Sequence, residues 1–366
     1  MKISVANLMT LPLVALAFAN NSIPANHEPA SLELRFGTYN VLSDQYKNPA
    51  WEHVRHLADW GDCSAGTRCH LAKTNIENAD LDVLALQEIP KAAFQFLLEA
   101  MPNYQGQHAS STAKFRGNAH YDGVGIMWKK ATLSANNIPA TAWNTVENSV
   151  VGVTDKKPAM LLYLRPNAVP NYVVGVASAH FGDSIYQSNE NDSGQSKMVA
   201  IVNKLNEQNS QGAYLNVILG DYNQDQYYLP GYEIDAPFKG LVSYDEQLDK
   251  IKVALDAGFV SGAQDPSGNQ DHSLSLTWTS PDMKTEFEAP YENLERKKLG
   301  ENRFIDWGLF KASDQSKVKI ERLHGDFDQF QLKYDADQKV TNIVSGENVL
   351  RGSDHLLVVF KVTINL

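Results

Sequence analysis

The sequence predicts a single α/β domain rich in strands. Short apolar runs of strand length alternate along the chain with stretches of helical spacing. The composition, 43% hydrophobic and 20% charged over 366 residues, is that of a globular chain able to bury a large core. No linker, internal repeat or low-complexity tract interrupts the alternation.

The elements follow in order. Leu32-Glu-Leu-Arg-Phe36 alternates apolar and polar residues, as a half-buried strand does. Val83–Leu86 is a short apolar strand, and Gly123–Trp128, Ala159–Leu164 and Val173–Ala179 read the same way. Gln195–Asn206 places Met198, Ile201, Val202 and Leu205 on one side of a helix. Val217–Leu219 is again a strand. Ser243-x-x-Glu246 offers a capping box for a helix through Leu248, Ile251 and Leu255, which Gly258 ends. Strands follow at Ser275–Thr279, Phe304–Phe310 and Leu356–Ile364.

The first residues read as an export signal. Lys2 precedes an apolar stretch, Leu8–Phe18, that is too short to span a bilayer, and Ala17-Phe-Ala19 gives a small-x-small cleavage pattern. The expected divisions are a signal peptide over 1–19, a short lead over 20–31 and one catalytic domain over 32–366. No later run reaches the ~18 apolar residues of a membrane span, so a secreted or periplasmic protein is expected, and a monomer. Cys63 and Cys69 share one Gly- and Ser-bearing loop, and we read them as a local disulfide suited to an oxidising compartment. A zinc site would need more ligands than these. The net charge of −11 argues against a protein that grips nucleic acid through a broad basic face, but not against an enzyme that meets a phosphate locally.

One feature recurs. The apolar strand Val217-Ile-Leu219 runs into Gly220, Asp221, Tyr222 and Asn223. Gly, Asp and Asn form turns, but residues i and i+2 of an extended segment also share a face, so Asp221 and Asn223 could address one ligand. Other strands end similarly: the first at Asn40, the second at Glu88, another at His180. Asp306 lies within an apolar strand, and Asp354 and His355 precede the last one. In layered α/β folds, strand ends on one rim converge on a crevice.

The chemistry of this set is that of hard oxygen donors with two imidazoles. Carboxylate and carboxamide oxygens suit Mg²⁺ or Mn²⁺ better than zinc. Histidines handle protons near neutrality. Together they make a kit for metal-assisted attack of water on a phosphate ester. No G-x-S-x-G nucleophile elbow, P-loop or G-x-G-x-x-G turn is present.

The ordered segments "TYNVLSD", "LALQE", "SAHFGD", "LGDYN", "LTW", "RFIDW" and "GSDH" resemble the endonuclease/exonuclease/phosphatase superfamily, over nearly the whole chain from about residue 32. That resemblance implies a four-layer sandwich, two mixed β-sheets face to face with helices on both outer sides. It implies Glu88 as principal metal ligand, with Asn40 and Asp354 completing the Mg²⁺ site. His355 would be the general base, held in its tautomer by Asp306. Asp221 would orient the nucleophile or assist the leaving group, and Asn223, His180 and Asn40 would bind phosphate oxygens. Trp278 is expected to pack beneath the site and Tyr222 in the core.

Substrate identity is less sharply written. Export and acidity fit a deoxyribonuclease I-like nuclease or a sphingomyelinase-type phospholipase C, which takes a phospholipid headgroup, better than the deadenylase branch that "TYNVLSDQY" and "YDGVGIMWKK" resemble. A nuclease acting on phosphodiester bonds is expected, with the phospholipase C or an inositol-phosphate phosphatase as the alternatives. A catalytically inactive binding protein is disfavoured because no expected position is missing. Arg296, Lys297, Lys298 and Arg303 could meet a phosphodiester backbone but read better as a solvated charged loop. Tyr46, Trp51 and Trp60 could stack bases, enter a lipid surface or cover the core.

Overall fold

In the computed structural model the described residues are 29–44, 59–110, 122–135, 158–181, 193–207, 212–222, 250–262, 306–323, 353, 355 and 357–366. The backbone of short strands at 114–115, 118–119, 278–279, 302–303, 332–334 and 340–343 completes the set. The export-signal stretch, Tyr46, Trp51, Asn223, the capping residues Ser243 and Glu246, the basic loop residues Arg296–Lys298 and Asp354 lie outside the described residues, as do the side chains of Trp278 and Arg303.

The chain order is β1 (Ser31–Asn40), α1 (Arg68–Ala79), β2 (Val83–Gln87), α2 (Lys91–Ala100), β3 (Tyr104–Ser110), β4 (Lys114–Phe115), β5 (Asn118–Ala119), β6 (Gly123–Lys129), β7 (Leu133–Ser134), β8 (Ala159–Pro166), β9 (Val173–His180) and α3 (Ser193–Asn206). It continues through β10 (Tyr214–Asp221), α4 (Lys250–Asp256), β11 (Val260–Ser261), β12 (Trp278–Thr279), β13 (Asn302–Arg303), β14 (Asp306–Ala312), β15 (Val318–Leu323), β16 (Leu332–Tyr334), β17 (Val340–Ile343) and β18 (Val358–Asn365).

Two six-stranded sheets face each other, in the orders β15-β18-β1-β2-β6-β3 and β11-β14-β10-β9-β8-β7. Each is mixed, with one parallel pair at its centre, β1 with β2 and β9 with β10. The remaining neighbours are antiparallel. Helix α1 bridges the first parallel pair and α3 the second, since parallel neighbours need a long crossover.

Side-chain alternation builds the layers. Leu34 and Phe36 of β1, Val83 and Ala85 of β2, Val174 and Val176 of β9, Val217 and Leu219 of β10, and Phe310 of β14 fill the space between the sheets. Alternate residues face outward. Leu84 and Leu86 pack with Ala72 and Ile76 of α1 and Phe94 and Leu97 of α2. On the far side Ala177 and Ile218 pack with Met198, Ile201, Val202 and Leu205 of α3 and Ile251 of α4. The result is the four-layer sandwich, and it explains why β2 and β9 are buried throughout and largely apolar: both of their faces are covered. Across the inner layer Phe310 meets Phe36 and Phe360 edge-on at 6.0 and 5.3 Å.

Candidate active site

The site begins as a continuation of the core register. Residues of like parity on a strand share a face, so the row Leu34, Phe36, Thr38 carries on to Asn40 on the inner side of the first sheet. In the second sheet Val174, Val176, Ser178 leads to His180, and Leu215, Val217, Leu219 leads to Asp221. Asp306 shares the parity of Phe310 on β14. The rungs end level: Asn40 pairs with Gln87, and Asp221 lies between His180 and Asp306. The apolar interlayer thus grades at one rim into Thr38, Gln87 and Ser178 and then into the ionisable groups.

Glu88 is one position out of this parity, since Gln87 takes the inner-facing place. Its backbone is left-handed, with φ at +54°, a conformation few non-glycine residues adopt. The kink breaks the alternation, and the carboxylate lies 3.6 Å from His180 Nε2 through Oε1. Gly220 is needed for a different reason. A Cβ there would collide with the Ala179 carbonyl, so the residue before Asp221 lets β9 and β10 close up at the rim and does not make a turn.

The groups converge. His180 Nε2 lies 3.5 Å from Asp221 Oδ2. His355 places Nδ1 2.8 Å from Asp306 Oδ2 and Nε2 3.9 Å from Asp221 Oδ2. Asn40 donates from Nδ2 to Asp221 Oδ2 at 3.0 Å, while its Oδ1 accepts from the Leu42 amide at 3.0 Å. In this geometry Asn40 meets the cluster through Asp221. Ligand atoms of Glu88, His180 and Asp221 lie within 4.8 Å of one another, as do those of Asp221, Asp306 and His355. Glu88 and Asp221 in the first group, and Asp221 and Asp306 in the second, repel unless a cation or a proton intervenes, so the donor set fits a divalent ion at Glu88, with Asp221 and His180 beside it. Of the residues expected at the site, Asn40, Glu88, His180, Asp221, Asp306 and His355 come together.

Several residues that support the site escaped the sequence reading. Gln87 accepts from Thr38 Oγ1 through Oε1 at 3.2 Å and donates from Nε2 to Ser178 Oγ at 3.3 Å, while Ser178 Oγ donates to Leu86 O at 3.1 Å. This buried polar bridge ties the two sheets directly beneath the rim. Ser353 Oγ donates to Asn40 O at 2.7 Å and accepts from the His355 amide at 3.2 Å, which fastens the last loop to the end of β1. The motifs "LALQE", "SAH" and "GSDH" contain these residues, but hydroxyls and amides next to ionisable groups carry no periodic signal of their own.

Arg68 was also missed. Fully buried at the start of α1, it donates to Val41 O at 2.6 Å and to Leu42 O at 2.8 Å, pairs with Asp44 and lies over the Trp60 ring. It therefore fixes the segment leaving Asn40. Trp60 is a core residue, with Nε1 donating to Ala93 O. Trp60, Leu42, Pro90 and Phe96 line a cavity of about 250 Å³ beside that segment. The Cys63–Cys69 disulfide closes the loop that leads into α1. Tyr222 is buried on the helix side, and burial pushes its hydroxyl well above the usual tyrosine pKa, so it donates to Ile218 O as a neutral group.

No family model matches the chain, and no curated protein does. Solved structures do match. A Bacteroides thetaiotaomicron endonuclease/exonuclease/phosphatase family protein aligns with a TM-score of 0.52 at 12% identity, over 92% of this chain and 99% of that one. The fold is the endonuclease/exonuclease/phosphatase fold. ANGEL2, described as a 2′,3′-cyclic phosphatase, shares this fold with a TM-score of 0.51 at 18% identity, over 92% of this chain and 96% of its own. D. rerio TDP2, solved with a single-strand DNA product, shares it with a TM-score of 0.50 at 14% identity, over 91% and 99%. In the present version of the endonuclease/exonuclease/phosphatase fold, the ends of both central parallel pairs, the start of β14 and the residues preceding β18 supply the polar rim.

Proposed function

We propose that the protein is an exported, Mg²⁺-dependent phosphoesterase that cleaves phosphodiester bonds, with nucleic acid as substrate. The observation that carries the reading is the line of contacts from Asp306 through His355 to Asp221, beside the Glu88–His180–Asp221 donor group. The solved structures of similar fold, a 2′,3′-cyclic phosphatase and a protein holding a DNA product, favour phosphate-ester chemistry. Secretion rests on the leader pattern of the first residues, and none of the described helices is long and apolar enough to cross a membrane.

An ionised Asp306 only accepts, so the Nδ1 that faces it carries the proton, and His355 Nε2 is left as the basic nitrogen toward the site. That nitrogen takes a proton from the attacking water, and Asp306 stabilises the imidazolium that results. Asp221, held by Asn40, orients the water or passes a proton to the leaving oxygen. His180, between Glu88 and Asp221, donates to a phosphate oxygen. Asn223 and Asp354 are assigned to phosphate and cation respectively on the motif alone. A bound Mg²⁺, or Mn²⁺, would polarise the phosphoryl oxygen and offset its developing charge.

The substrate is tested by incubating the protein with plasmid, RNA and sphingomyelin liposomes, each with Mg²⁺ and with EDTA. Cleavage of plasmid or RNA in Mg²⁺ alone is expected. Intact nucleic acid with release of choline phosphate would overturn the nuclease reading.

A further inference from the structure

Two ammonium groups are buried in the outer layer over the second sheet. Lys197 in α3 is 0% exposed and Lys250 at the start of α4 is 3% exposed. Lysine is rarely buried without a specific partner, and packing does not call for either one. Met198, Ile201, Val202, Leu205 and Ile251 already supply the apolar cover. Each lysine instead reaches a main-chain carbonyl at a strand end. Lys197 Nζ donates to His180 O at 3.1 Å and Lys250 Nζ donates to Tyr222 O at 2.7 Å.

These carbonyls lie where the β9–β10 ladder runs out. Beyond the paired His180 and Asp221, the Phe181 amide donates to Asp221 O at 2.9 Å, and the backbone polar groups that follow must find partners elsewhere. The lysines flank one ring: their Nζ atoms lie 5.2 and 5.6 Å from the centroid of Phe181, which meets Tyr222 edge-on at 5.0 Å. The helices α3 and α4 are thereby fastened to the two strand ends that present His180 and Asp221.

We propose that Lys197 and Lys250 are positioning residues that clamp the ends of β9 and β10 from the outer layer and so set the spacing of His180 and Asp221 around the cation. The cation in this statement rests on the phosphoesterase reading, whereas the clamp rests on the hydrogen bonds alone.

The test compares wild type with K197M, K250M, K197R and K250R. Amide hydrogen exchange is followed at residues 178–181 and 219–222 against the middles of the same strands, and Mn²⁺ affinity is measured by titration. The methionine variants are expected to speed exchange at the strand ends selectively, by about tenfold or more. They should also weaken Mn²⁺ binding by roughly tenfold, as loss of an outer-shell partner does. The arginine variants, which keep donor and charge, should stay close to wild type. Removing a positive charge would by itself tighten cation binding, so weakening reports geometry. Exchange unchanged at the strand ends, exchange raised evenly through both sheets, or Mn²⁺ bound as tightly as before would each overturn the clamp. Should a methionine variant fail to fold, K197Q and K250Q, whose side chains are shorter by one bond and so fall short of the carbonyls, are held to the same exchange criterion. A wild type that binds no Mn²⁺ would contradict the phosphoesterase reading, and the exchange comparison would still decide the clamp.

Discussion

His355 touches the rest of the site through two ring nitrogens with different partners, Asp306 at 2.8 Å and Asp221 at 3.9 Å. Its replacement by alanine removes the proposed base from the rim of the site. Hydrolysis by H355A should fall by roughly 10²–10⁴-fold, the usual worth of general-base catalysis, while loss of the buried partner of Asp306 lowers the thermal midpoint without preventing folding. Full activity in that variant would end the assignment. Glu88 gives a sharper test because its left-handed backbone carries strain that asparagine tolerates better than glutamate. E88N should therefore fold at least as stably as wild type by urea titration while losing hydrolysis, since its carboxylate is gone. The identity and order of these residues were legible in the sequence. The kink at Glu88 was not, because nothing in "LALQE" marks the point at which strand alternation is broken by one backbone angle.

At the scale of elements, what could be read depended on how strongly each element is patterned. The strands β1, β2, β6, β8, β9 and β10 and helix α3 lie where their apolar periodicity placed them, with ends moved by a few residues. Helix α1 went unread because its buried stripe is Cys69, Ala72, Ile76 and Ala79, mostly small residues, with Arg68 as its largest buried group. The edge strands β3 and β15 went unread because much of each faces solvent. Helix α2 had an adequate apolar stripe in Phe94 and Leu97 and was overlooked. Two predictions belong here. G220A sets a methyl group against the Ala179 carbonyl and should destabilise by about 1–3 kcal/mol, as overpacking does, with activity lost alongside because β10 must shift at Asp221. R68M leaves Asp44, Val41 O and Leu42 O without their buried donor. It should lower stability by roughly 1–3 kcal/mol in denaturant titrations, since two main-chain carbonyls lose a buried donor while Asp44 is part-exposed and keeps the Trp60 amide.

On the scale of the whole molecule, both sheets share one plan: a parallel central pair bridged by an outer helix, flanked by antiparallel strands. Neither half contains the site. Asn40 and Glu88 come from the first sheet, His180, Asp221 and Asp306 from the second, and His355 from the residues preceding β18. The Asn40–Asp221 hydrogen bond and the Gln87–Ser178 bridge cross between the sheets, so the site exists only when the sandwich has closed. A divalent ion that binds the folded state alone must then stabilise it. At about a hundredfold excess over its dissociation constant, Mg²⁺ should add ~2.7 kcal/mol to wild type, and little to E88Q. This convergence was legible only as an ordered series of polar strand ends. The bridge and the buried lysines that hold it depend on contacts between segments far apart in the chain, which no local pattern encodes.

The most direct measurement is the rate at which the purified protein hydrolyses bis(p-nitrophenyl) phosphate with Mg²⁺ present and after its removal by EDTA, in wild type and E88Q. Turnover that requires Mg²⁺, returns when the ion is restored and is lost in E88Q is the predicted result. Turnover that persists in EDTA, or that E88Q retains in full, would contradict a cation site built on these strand ends.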